Sequence, residues 1–141
     1  MTLVDPEGLP EIEACRQVAI ASGSRMVFIA GQVAWDAAGV TVGAGDLAAQ
    51  VEQCCLDVAT GPAAAGATFA DAAKPTAYVV DRTPDKMAQF MEGATRAARK
   101  PGTVPAAPAT LVGVQALGIP DHLVEIEAVT VFGRGPGRRE Q

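Results

Sequence analysis

Leu47, Val51, Cys54, Cys55 and Val58 recur at the three-and-four spacing of one helical face, whereas the runs on either side do not. Upstream, CRQVAIAS and RMVFIAGQ are β-rich and separated by Gly23 and Ser24, which is a hairpin signal. Downstream, KPTAYVVD is a strand with Tyr78 and Val80 on one face and Val79 on the other. A second helical period follows in Met87, Phe90, Met91, Ala94 and Ala97, opened by a Thr83-Pro84 cap and closed near Arg99-Lys100. Two further strands, TLVGVQAL and LVEIEAVTVF, are joined by the turn GIPDH. The order β-β-α-β-α-β-β predicts an α+β domain, one sheet with two helices packed on a single face.

Local signals refine this outline. Asp46 is an N-cap for the first helix, which should run to about Ala65 and stop at Gly66. Pro62 removes an amide and opposes the Val58 carbonyl, so a kink or break is expected at Gly61-Pro62. VAWDAAGVTVGAG reads as a loop with a short strand at Val40–Val42. The segment before Cys15 reads as loose, and Pro101, Gly102, Pro105 and Pro108 as an extended loop.

At 141 residues the chain makes one domain, assigned to residues 1–133, with a flexible Gly-Pro-rich tail at 134–141. Sixteen acidic against eleven basic residues give a net charge of −5, which argues against a nucleic-acid partner. The basic cluster Arg134, Arg138 and Arg139 lies in that tail and reads as solvated. The start MTLVDPEGLPEIEA lacks the basic and apolar regions of a leader, and no apolar run approaches membrane-spanning length. Three cysteines without a C-x-x-C pair suit a reducing cytoplasm, and the adjacent Cys54 and Cys55 suit core packing. One histidine and no Cys/His spacing predict no metal site, and no cofactor is expected.

The run RMVFIAGQVAWDAAGV, the helix AAQVEQCCLDVATGPAAAG, the strand KPTAYVVD and the ending PATLVGVQAL…VEIEAV resemble the RidA (YjgF) family, collinearly over roughly residues 15–132. The strongest points are Gly31-Gln32, Gln50, Ala65-Gly66, Asp81 and Glu125-Ile126-Glu127-Ala128. The resemblance implies a chorismate-mutase-like fold and a homotrimer with a barrel core and clefts between subunits. It also implies hydrolysis of enamines and imines, with an arginine in Pro-Ala-Arg-Ser/Thr gripping the substrate carboxylate. Here that position is Ala109, followed by Thr110 and Leu111. Ala30 stands where the family has serine, Cys15 where it has an aromatic, and Met91 and Ala94 near its Asn and Tyr. Each change makes the cleft less polar.

Glu125 matches the family position that activates water, and desolvation in an apolar cleft would raise its pKa. A hydrogen-bonding role at a subunit interface is the other reading. Gln32 either touches ligand or satisfies backbone at its strand end. Glu127 shares the Glu125 face and reads as solvated, and His122 as an exposed turn residue. Trp35 and Tyr78 read as packing residues. The resulting expectation is a small-molecule enzyme acting on a neutral or bulky reactive intermediate by hydration, tautomerisation, dehydration or cyclisation. The Ala/Gly/Pro-rich composition fits a GC-rich bacterial genome and a specialised biosynthetic pathway. A non-catalytic ligand-binding or chaperone-like trimer is the first alternative. An ordinary imine deaminase using another cation is the second.

Overall fold

Val124, Ile126, Ala128 and Thr130 are buried along the last strand, and the residues between them are only half-buried. That alternation marks a sheet with one packed face. The computed structural model describes residues 1–100 and 106–133. Its elements are β1 (Thr2–Val4), β2 (Val18–Ile20), β3 (Arg25–Val33), α1 (Leu47–Ala64), β4 (Ala72–Val80), α2 (Lys86–Ala98), β5 (Thr110–Val114) and β6 (Val124–Phe132). The main sheet has the order β3-β6-β4-β5. β6 is antiparallel to both neighbours, and β5 joins β4 in parallel, as a connection through α2 allows.

α1 lies across β3 and β6, and α2 packs beside α1. The core is the buried stripe Leu47, Val51, Cys54, Cys55 and Val58 set against Ala77, Val79, Val124, Ile126 and Ala128. Two glycines let these layers close. A Cβ on Gly61 would lie 2.9 Å from Ile29 of the sheet, and one on Gly93 would lie 2.3 Å from the Ala48 carbonyl oxygen.

The α+β class and the placement of both helices agree with the sequence reading. Four local expectations are corrected. β2 does not form a hairpin with β3; it pairs with β1, in the segment expected to be loose, as a separate two-stranded sheet. α1 has no break at Pro62, which is buried in its last turn, and the chain leaves at Gly66 with φ +83°. α2 begins at Lys86 behind Asp85, with Thr83 and Pro84 forming the turn before it. The Val40–Val42 strand is reduced to a single bridge between Trp35 and Thr41. The extended loop at 101–105 and the tail at 134–141 lie outside the described residues. No helix among the described residues is long and apolar enough to cross a membrane.

Candidate functional site

Behind β5, a cavity of about 200 Å³ opens between the sheet and α2. The α2 face contributes Met87, Phe90, Met91 and Ala94, and the sheet contributes Ala77, Leu111 and Ile126. Ala107, Ala109 and Thr110 form its rim where the chain enters β5, and Cys55 lies in its wall. Cys15 reaches it because the Arg16 N–H donates to the Ala106 carbonyl at 2.9 Å. Asp5 fixes that approach by accepting from Arg16 at 2.7 Å and from the Gln17 N–H at 2.9 Å. These bonds hold the Asp5 carboxyl below its ordinary range, with the Gln17 N–H the larger cause. Among the described residues, none lining the cavity carries a charge.

The opposite face of the sheet differs. Phe28, Ala30, Lys74, Thr76, Glu127 and Val129 line an open depression of about 560 Å³. The Tyr78 hydroxyl donates to Glu127 at 2.8 Å, which raises the phenol's pKa; desolvation and the charges of Glu127 and Glu125 add to it. Lys74 donates through Nζ to the Thr110 hydroxyl. Glu125 lies on this side also, since a Cβ on Gly31 would collide with its carboxylate. A bulge between Ile29 and Gln32 brings Gly31 to that place.

The residues singled out from sequence therefore fall on two sides. Ala109, Thr110, Leu111, Cys15 and Met91 gather at the inner cavity. Ala30 and Glu125 belong to the outer face. Gln32 lines neither depression and donates to the Ala30 carbonyl at 2.9 Å. Glu125 pairs with Tyr78, and Tyr78 with Val112, so Glu125 and Ala109 are separated by two strand spacings and about three residues. That is roughly 14 Å. Within one protomer they do not meet.

The chain matches the family model described as endoribonuclease L-PSP over residues 11–132. It belongs to that family, the RidA/YjgF proteins. Among solved members, YyfB of Yersinia pestis, a Rid protein of unknown function, is 36% identical with a TM-score of 0.81, covering 92% of this chain and 97% of its own. The YjgF gene product of E. coli is 25% identical with a TM-score of 0.64, covering 93% and 98%. A YjgF-family protein of Mycobacterium tuberculosis is 28% identical with a TM-score of 0.57, covering 75% and 78%. No curated protein matches.

Several roles within this RidA/YjgF fold differ from expectation. His122 is buried, not an exposed turn residue: its Nε2 lies 3.3 Å from the Thr41 hydroxyl and its ring meets Trp35 edge to face. Glu127 is the acceptor of the Tyr78 hydroxyl and not merely solvated. Sequence reasoning missed Lys74, although Lys74, Thr76 and Tyr78 at alternate positions of one strand carry the signal. Burial pushes the Cys55 thiol up to about 12 and the Cys54 thiol higher still, which suits packing and not nucleophilic work. Among the described residues no group of three or more His, Cys, Asp or Glu is placed to hold a metal ion.

Proposed function

We propose that this protein is a homotrimeric small-molecule enzyme that adds water to the C=N bond of a reactive intermediate with a bulky apolar body. The observation carrying this reading is the uncharged cavity behind Ala109, which is lined by Met, Phe, Leu and Ala side chains and suits an apolar group. Ala109 offers no guanidinium, so a small imino acid loses the grip that the family's arginine would supply.

The separation of Glu125 from Ala109 supports a site shared between copies. In a trimer, Glu125 of one subunit would face the Ala109 rim of the next. Met26 and Phe28 on the outer face are 59% and 73% exposed, and a second and third copy would cover them. In the reaction, the Glu125 carboxylate takes a proton from water as the water oxygen bonds to the imine carbon. The nitrogen gains a proton, the carbinolamine expels ammonia, and a carbonyl product remains. β5 is an edge strand, so alternate backbone N–H groups beyond Ala109 point away from the sheet and are available to polarise the substrate.

RNA cleavage, which the family's name suggests, fits poorly with a chain of net charge −5. A cytoplasmic, bacterial, biosynthetic setting remains part of this proposal. The test is imine hydrolysis with substrates freshly generated by an amino-acid oxidase from leucine and from alanine. The leucine-derived imine should react faster, and Glu125→Gln should lower turnover by about a hundredfold. Undiminished turnover in that variant would overturn the acid/base assignment, whereas no turnover in the wild type would favour a non-catalytic binding trimer. Ala109→Arg should shift preference toward the alanine-derived imine.

A further inference from the structure

The inner cavity behind Ala109 has a size and a lining that select more narrowly than apolar character alone. An apolar cavity of about 150 Å³ takes up one benzene ring and stays free of water. The volume here is about 200 Å³. At ~30 Å³ for each further atom, that leaves room beside one ring for an arm of about two atoms.

The walls favour a ring over an aliphatic body of the same size. Phe69 and Phe90 present aromatic carbon, and Met87, Met91, Cys15 and Cys55 bring four sulfur-bearing side chains to the same space. Met87 and Met91 stand four residues apart on α2, so they share one of its faces. Sulfur packs favourably against ring edges, and aromatic pairs gain more than their buried area, whereas an alkyl group gains burial alone. Cys55, Phe69, Ala77 and Ile126 are buried and form the floor; Met91 and Ala109 are exposed at the mouth. Among the described residues the lining offers no side-chain oxygen or nitrogen except the Thr110 hydroxyl, which accepts from Lys74. A hydroxyl carried on the ring to that floor would lose its water without gaining a partner.

We infer that the cavity is a binding site for a single six-membered aromatic ring without polar substituents, carried on a short arm that ends at the Ala109 mouth. The ligand class is a benzyl-type compound. This assignment deepens the proposed function and rests on it only in making the ring part of a substrate.

The test is NMR of the full chain with isotope-labelled methionine methyls, using benzyl alcohol, para-hydroxybenzyl alcohol and cyclohexylmethanol as probes. Benzyl alcohol should move the Met87 and Met91 methyl signals by ring current and leave Met26, on the outer face, in place. It should bind about threefold to tenfold tighter than cyclohexylmethanol, although burial alone favours the more apolar saturated ring. The para-hydroxyl should weaken binding by about tenfold. Met87→Leu combined with Met91→Leu conserves volume, so it should shrink the preference for benzyl alcohol and change cyclohexylmethanol affinity by less than about twofold. Unmoved Met87 and Met91 signals at saturating benzyl alcohol, or equal or tighter binding of cyclohexylmethanol, would overturn the ring site. Methionine shifts without imine turnover would keep the ring site and sink the hydrolase reading. Turnover of the leucine-derived imine without those shifts would do the reverse.

Discussion

Gln50 Oε1 accepts the Leu123 backbone N–H at 2.8 Å while its Nε2 donates to the carbonyls of Asp121, at 2.9 Å, and Gly43, at 3.2 Å. The side chain is fully buried, and its amide joins the loop entering α1 to the turn entering β6. Gln50→Ala leaves those backbone groups without partners and should cost about 2–4 kcal/mol, read from urea unfolding. Gln50→Glu keeps the acceptor but opposes charge to two carbonyls. Its loss should therefore grow as pH rises past the ordinary carboxylate range, which Gln50→Ala would not show.

Gly93 is where α2 meets α1. Alanine there gains up to about 1 kcal/mol of helix propensity. Its Cβ, however, falls 2.3 Å from the Ala48 carbonyl oxygen and 2.6 Å from the Val51 Cβ. Both obstacles are backbone or branched core, so the overpacking cost of about 1–3 kcal/mol should win and lower the unfolding midpoint.

Gly31→Ala separates function from stability. The atoms nearest the new Cβ are those of the Glu125 side chain, 2.1 Å away at Oε1, and a flexible carboxylate can swing aside. Urea unfolding should change little, while imine turnover should fall as in Glu125→Gln. Normal turnover would place the chemistry elsewhere.

The buried thiols make the fold sensitive to alkali. Cys55 titrates near 12 and Cys54 higher when folded, against an ordinary 9.0. Raised pKa values mean that this contribution is complete below pH 9 and is lost as pH rises toward 12. Each thiol should remove about 1.4 kcal/mol per pH unit through that window. Replacing both by alanine should flatten the slope between about pH 9 and about pH 10. In the native protein only Cys15, which is partly exposed, should react promptly with a thiol reagent.

Much of this architecture was legible in the sequence because local periodicity encodes it. The α1 face from Leu47 to Val58 and the alternation along β6 are read directly from spacing. Pairing partners were not legible, since they depend on contacts far apart in the chain. Gly23 does separate the two runs, but it packs against the Phe132 backbone, and β2 pairs with β1 rather than with β3. His122 was misplaced for the same reason: its burial comes from Trp35 and Thr41, some eighty residues earlier. The site residues were identified by position in a motif, which says nothing about sides of a sheet. The separation of Glu125 from Ala109, and the reach of Lys74 to Thr110, follow only once β4 is known to lie between β6 and β5.

The bulge at Ala30 and Gly31 constrains how this chain can change over evolutionary time. Ala30 and Gly31 together stand opposite the single Glu127, so losing either would leave the Ile29–Ala128 and Gln32–Ile126 pairs in register and every strand face as it is. What a lost codon would remove is the bulge itself, and with it the place beside Gly31 where the Glu125 carboxylate sits. The sheet could absorb that deletion; the pocket at Glu125 could not keep its shape.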